Sequence, residues 1–153
     1  MLSIQQINTP LDFTSLSKDR LIDFLHLHLD QFGDSKDAIG KSIDYAMQKD
    51  CGKGGFILLG YWDQNLVGAV VINKTGMQGY IPENILVYIA VDSKYRGKGI
   101  GKQLIDEAIA KSDGDVKLHV EYENPAKRLY ERVGFTTKYA EMRFVKKSKL
   151  WQR

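Results

Sequence analysis

The densest chemical signal in the chain is Tyr95 to Leu104, YRGKGIGKQL, where three glycines and the cations Arg96, Lys98 and Lys102 precede an apolar helical pattern. A backbone this bare lies close to a ligand, and the first N–H groups of the helix that follows lack intrahelical partners and favour an anion. Two glycine-loop templates fail here. A P-loop requires Gly, four residues, then Gly-Lys-Ser/Thr; Gly101-Lys102 is followed by Gln103, and the first glycine falls on Arg96. The dinucleotide fingerprint Gly-x-Gly-x-x-Gly fails in both frames, its third glycine landing on Lys102 or Leu104. Arg96-x-x-Gly99-x-Gly101 fits instead, a side-chain-free concavity in which backbone N–H groups and nearby cations meet a pyrophosphate. Further along, Tyr130 shares a helical face with Ala126, Leu129 and Val133, the position of a core residue. Its phenol, with a reference pKa of about 10, is also a proton donor at neutral pH. Cys51 stands alone in KDCGKGG with no histidine nearby, and His26 and His28 have no metal-ligand partners at useful spacing, so neither nucleophilic thiol nor metal chemistry is expected.

These residues need elements to hold them. The spacing predicts a strand from Ser3 to Ile7, a helix capped by Ser17 with Leu21, Phe24, Leu25 and Phe32 on one face and Gly33 as its stop, and a second helix capped by Ser35 or Asp37. Phe56–Trp62 and Leu66–Asn73 read as a hairpin around Asp63, Gln64 and Asn65. Ile85–Asp92 is apolar throughout, a strand covered on both faces. The glycine stretch then opens a helix bearing Ile100, Leu104, Ile105, Ala108 and Ile109; Val116–Tyr122 is a strand, Asn124 caps a short helix with Pro125 in its first turn, and Thr136–Val145 is a closing strand pair or bent strand. The order gives an α/β (α+β) fold, a single mixed, mostly antiparallel sheet with helices on both faces, in one domain over residues 1–153. At 43% hydrophobic and 27% charged residues the chain reads as soluble and globular. No run approaches the roughly 18 apolar residues of a membrane helix, and the N-terminus lacks a signal-peptide layout, so a cytoplasmic location without membrane contact is expected. A net charge of +3 is far from a nucleic-acid footprint, and the tail RFVKKSKLWQR, with Phe144 and Trp151 among its cations, reads as a solvated end.

Taken together, YIAV (Tyr88–Val91), RGKGIG (Arg96–Gly101), KLHVEYEN (Lys117–Asn124), NPA (Asn124–Ala126) and LYERVGF (Leu129–Phe135) resemble, in order and separation, the GNAT family of N-acetyltransferases, over Ile85 to Phe144. The resemblance implies the acyl-CoA N-acyltransferase fold and acetyl-CoA as co-substrate. It implies that two strands, Ile85–Asp92 and Val116–Tyr122, splay to admit the pantetheine arm, with main-chain contacts from Ile89, Ala90 and Val91. It implies that Arg96, Gly97, Lys98, Gly99, Ile100, Gly101 and Lys102 cradle the pyrophosphate. Asn124 matches the family's pantetheine-contacting asparagine, although Ala126 follows it by two residues where many members have three; it reads equally as a helix cap. Tyr130 takes the position of the acid that protonates the departing CoA thiolate.

The acceptor implied is a primary amine, on a small molecule or a protein. An amine with a pKa near 10 is about one part in a thousand neutral at pH 7, a deficit on the order of 4 kcal/mol unless a base removes the proton. Glu83 and Glu121 are the candidate bases, and His119 alternates onto the same side as Glu121. Asp30, Asp34, Asp37 and Glu83 carry charge suited to a cationic amine. A catalytically silent acyl-CoA sensor is the alternative reading, and a homodimer is compatible with the sequence.

Overall fold

A computed structural model describes residues 1–50 and 52–147. Cys51 and the tail beyond Lys147, including Trp151, lie outside the described residues. Five strands form one sheet in chain order: β1 (Leu2–Ile7), β2 (Gly55–Trp62), β3 (Asn65–Lys74), β4 (Asn84–Val91) and β5 (Val116–Leu118). β1 to β4 pair antiparallel and β5 joins β4 in parallel, so the sheet is mixed and mostly antiparallel. The β2–β3 hairpin turns on Asp63 and Gln64, both at positive φ (48° and 67°), the left-handed pair whose twist matches the flanking strands.

Among the described residues, four α-helices cover the sheet. α1 (Lys18–Leu29) and α2 (Lys36–Met47) begin where hydroxyls accept the first free N–H groups: Ser17 Oγ from Arg20 at 3.2 Å and Ser35 Oγ from Ala38 at 3.2 Å. Leu21, Leu25, Ile39, Ile43 and Ala46 pack with Ile57, Leu59, Ala69, Val71, Tyr88 and Ala90 into one core. On the opposite face, α3 (Ile100–Lys111) and α4 (Ala126–Val133) bury Ile100, Leu104, Ile105, Ala108 and Tyr130 against Leu58, Val70, Ile72 and Leu86. α3 approaches closely because Gly68 leaves room for it. A Cβ there would stand 2.6 Å from Leu104 Cδ1.

Two expectations about the last third of the chain are corrected. β5 stops at Leu118 instead of reaching Tyr122, and no strand forms over residues 136–145. The segment instead runs exposed, with Tyr139, Met142 and Phe144 at the surface. Its charged pair, Arg143 and Glu141, joined at 2.7 Å through Nε, lies close enough to His119 and Lys117 to influence their charge balance. Among the described residues, no helix is long and apolar enough to cross a membrane.

Candidate active site

The sheet opens between β4 and β5. Their pairing lasts three rungs, from Asn84↔Val116 to Leu86↔Leu118, and the next residue of β4, Val87, is skipped in the register with β3, where Val71 faces Tyr88 and Ile72 faces Leu86. A bulge bends its strand and increases the local twist, and this one stands where the ladder between β4 and β5 ends. Beyond this point one edge of β4 is unpaired. The register tells which groups lie on it. Asp92 N–H donates to Val67 O at 2.8 Å, which makes Asp92↔Val67 a hydrogen-bonded pair; by alternation Ala90 also points its main-chain groups at β3. Ile89 and Val91 therefore present theirs to the gap. This corrects the expectation for Ala90, whose backbone is spent within the sheet and whose side chain packs toward α1 and α2.

The glycine stretch follows β4 directly. Gly97 and Gly99 sit at φ 80° and 78°, a region costly for other residues, and a side chain on either would meet no atom within 4 Å. Gly99 is the N-cap of α3 and supplies no side-chain acceptor, leaving the N–H groups of Ile100, Gly101 and Lys102 for a ligand. This open, donor-lined concavity fits a pyrophosphate. Gly101 has a different reason to be glycine: a Cβ would lie 3.1 Å from Leu129 Cδ2, so its bareness seats α4 against α3.

The cations are disposed less simply. Lys98 is exposed and makes no hydrogen bond or ion pair among the described residues, whereas Lys102 pairs with Asp106 at 2.7 Å. Arg96 does not point into the concavity with its whole fork. Its Nε donates to Val91 O at 3.2 Å and its Nη2 to His28 O at 2.9 Å, clamping the last turn of α1 to the end of β4. His28 lies 3.8 Å from Asp92, and burial holds its imidazole below the usual histidine range despite that carboxylate.

Tyr130 is 8% exposed on α4 and stacks edge-on against Phe135, centroids 5.9 Å apart. Its hydroxyl makes no hydrogen bond among the described residues, yet it is not sealed away: the one unpartnered, fully buried side-chain atom among them is Asn73 Oδ1. Burial pushes its pKa up to about 12. Asn124 Oδ1 accepts from Ala126 N–H at 2.9 Å, which starts α4 and leaves its amide nitrogen without a partner among the described residues; Pro125 takes the cap position itself.

The base candidates separate. Glu83 accepts from Asp115 N–H at 2.8 Å and Gly79 N–H at 3.2 Å, and these bonds hold its carboxyl below the usual range. It lies outside the first rung of β4 and β5, at the closed end of the pair, and straps two loops together. Glu121 is exposed and begins the turn into α4, with its carbonyl accepting from Asn124 N–H at 3.0 Å. Because β5 ends at Leu118, strand alternation does not place His119 and Glu121 together. His119 is instead the first residue past the last rung, at the mouth of the gap, and burial with Lys117 nearby lowers its pKa below 6.5. One further contact escaped the sequence. Tyr88, buried on β4, donates its phenolic proton to Asp34 Oδ2 on the loop between α1 and α2, 54 residues away. Among the described residues no group of three or more His, Cys, Asp or Glu side chains stands close enough to hold a metal ion.

The fold places the chain among acetyltransferase structures. An aminoglycoside N-acetyltransferase AAC(6')-Iy in complex with CoA superposes with a TM-score of 0.69 at 17% identity, covering 97% of this chain and 96% of that one. A possible acetyltransferase from Clostridium difficile 630 gives 0.67 at 20% identity over 97% and 99%, and a ribosomal-protein-alanine N-acetyltransferase from Brucella melitensis biovar Abortus 2308 gives 0.63 at 19% over 95% and 99%. The family model described as "Acetyltransferase (GNAT) domain" matches residues 53–137, more than half of the sequence, and the chain belongs to that family. N-alpha-acetyltransferase 30 of Xenopus laevis is 40% identical over 77 residues, and its Homo sapiens counterpart 39% over 77. Those stretches are 47% of this chain but only 28% and 21% of the two relatives, so the chain matches about a quarter of their length.

Proposed function

We propose that the chain is an acetyl-CoA-dependent N-acetyltransferase that transfers acetyl directly to a primary amine of a small molecule or protein. The observation that carries this is the unpaired edge of β4 beyond Leu86, leading straight into the open N-terminus of α3. An extended pantetheine arm pairs with the main chain of Ile89 and the N–H of Val91, whose carbonyl is held by Arg96, while Gly97, Gly99 and the N–H groups of Ile100, Gly101 and Lys102 hold the pyrophosphate. Lys98 and the unspent side of the Arg96 fork add charge, and the Asn124 amide nitrogen, unpartnered among the described residues, is left to donate to the arm. The acceptor in this family can be an aminoglycoside or a protein terminus in the relatives' own names; here it is assigned only as an amine.

The chemistry is divided between the two sides of the gap. His119, whose imidazole is shifted toward its neutral form by desolvation and by Lys117, takes one proton from the ammonium form of the acceptor. The freed nitrogen lone pair attacks the thioester carbon, forming the C–N bond. The Ile89 N–H stabilises the charge on the carbonyl oxygen. As the C–S bond breaks, the sulfur takes the electron pair and Tyr130 donates toward it. The second amine proton leaves to solvent and the proton held by His119 returns through solvent to Tyr130, so the products are amide, CoA thiol and one proton. Glu83 has no part in these steps, and Glu121 stands by as a relay through water.

Thiol release from acetyl-CoA across a panel of amines tests this. Release that depends on both protein and amine is expected. Tight acetyl-CoA binding with no turnover across the panel would replace it with the silent acyl-CoA sensor.

A further inference from the structure

The gap has two mouths, and Tyr130 occupies only one of them. Tyr130 belongs to the core under α3 and α4, whereas Tyr88 belongs to the core under α1 and α2, on the opposite face of the same opening. Tyr88 stands two residues past Leu86, the last residue of β4 paired with β5. With the donor entering along α3, the attacking amine must arrive from the Tyr88 side.

Of the four carboxylates with charge suited to an amine, only one is tied to that mouth. Glu83 is spent on backbone N–H groups at the closed end, Asp37 pairs with Lys41 at 3.2 Å, and Asp30, the C-cap of α1, makes no side-chain hydrogen bond among the described residues. Asp34 is held by the Tyr88 phenol, whose ionisation is suppressed by burial and by the carboxylate itself, so it is a permanent donor. That bond fixes Oδ2 and leaves Oδ1 for a ligand. Arg143 lies near enough to feel Asp34, but it is spent on Glu141 through Nε and Nη2, and the two cancel. His119 faces the same pair, with Lys117 beside it. The net charge at Asp34 therefore stays negative.

We propose that Asp34, oriented by Tyr88, selects the acceptor: it draws in cationic primary amines and rejects those with a carboxylate on the adjacent carbon. The inference rests on the N-acetyltransferase reading above. The substrates it admits are amines whose neighbouring carboxylate is absent or blocked, such as peptide N-termini, polyamines or amino sugars; free α-amino acids bring like charge against Oδ1. Once His119 has taken the proton, the neutral amine keeps an N–H on Asp34 during attack. Asp34 and Tyr88 are positioning residues, expressed in KM more than in kcat.

The test compares leucinamide with leucine, which differ in one carboxylate, by thiol release from acetyl-CoA. The wild-type chain is expected to favour the amide in kcat/KM by about tenfold or more. Asp34→Asn raises KM for the amide about tenfold with kcat held within about threefold, and the preference shrinks to about threefold or less. Tyr88→Phe, which keeps the buried ring, moves both in the same direction by less. Asp37→Asn changes neither. An Asp34→Asn variant that retains both the KM and the preference overturns the inference, as does a wild-type chain that acetylates leucine as readily as the amide. Acetyl-CoA binding with no thiol release from any amine overturns the N-acetyltransferase reading as well, and is distinguishable from these.

Discussion

Removing the Tyr130 hydroxyl separates a catalytic tyrosine from a core one. The ring is 8% exposed and packs on Phe135, and Tyr130→Phe preserves both contacts. Because the hydroxyl has no hydrogen-bond partner among the described residues, its loss leaves no orphaned group. Stability should change by less than about 0.5 kcal/mol, or about 2 °C in Tm. The chemical effect is larger. With its pKa at about 12, the phenol is fully protonated at pH 7, but complete transfer to a thiolate whose acid has a pKa near 8.5 is uphill by about 3.5 units, roughly 5 kcal/mol. Tyr130 thus acts through a hydrogen bond that strengthens as charge builds on sulfur, with the proton only partly moved in the transition state. That places the loss at the low end for a general acid, about 10²-fold in kcat with KM for acetyl-CoA little changed. Steady-state thiol release, with thermal unfolding on the same samples, is the assay. Alkali gives a second readout. The folded pKa is raised above the unfolded value of 10, so the unfolded chain ionises first and stability falls from pH 10 upward until about 12. Tyr130→Phe should flatten part of that fall. Full kcat in the variant refutes the acid assignment, and a Tm drop of several degrees refutes the unpartnered hydroxyl.

Three further perturbations follow from other contacts. If His119 is the base, kcat/KM falls as pH drops through its lowered pKa, below 6.5, and His119→Gln removes that limb along with most of the activity; an unchanged profile in the variant would assign the limb elsewhere. Glu83→Gln should leave kcat within about threefold but alter acid stability, because the folded carboxyl is held below 4.5 and its stabilisation is lost as pH falls through that lowered pKa. Unfolding curves between pH 3 and 7 should show a flatter acid decline in the variant. Gly68→Ala drives a Cβ to 2.6 Å from the buried Leu104 side chain, which should cost about 1–3 kcal/mol by overpacking, some 3–9 °C in Tm. It should also weaken acetyl-CoA binding in calorimetry by displacing the start of α3.

Features set by neighbours in sequence were legible without coordinates. Ser17 caps α1 as expected, Ser35 and not Asp37 of the two expected candidates caps α2, the hairpin turns at Asp63 and Gln64, and the glycine stretch sits between β4 and α3. Features set by distant partners were not. Which of Ile89, Ala90 and Val91 faces the gap depends on register with β3, and one bulge at Val87 fixes it. The length of β5 depends on its pairing with β4, so apolar residues as far as Val120 could not reveal that pairing stops at Leu118. Arg96 looked free because the carbonyl of His28 that it grips lies 68 residues earlier. The link between Tyr88 and Asp34 is equally non-local: a tyrosine within an apolar strand reads as core, and one loop aspartate reads like its neighbours.

Direct transfer across the opening between β4 and β5 is the central claim, and a single-turnover experiment with acetyl-labelled acetyl-CoA tests it most directly. With protein in excess over donor, label should stay on CoA until amine is added. It should then appear on the amine one for one with free thiol, and never on the protein. Labelled protein that accumulates before the amine product, or thiol that appears equally fast without amine, would contradict the claim.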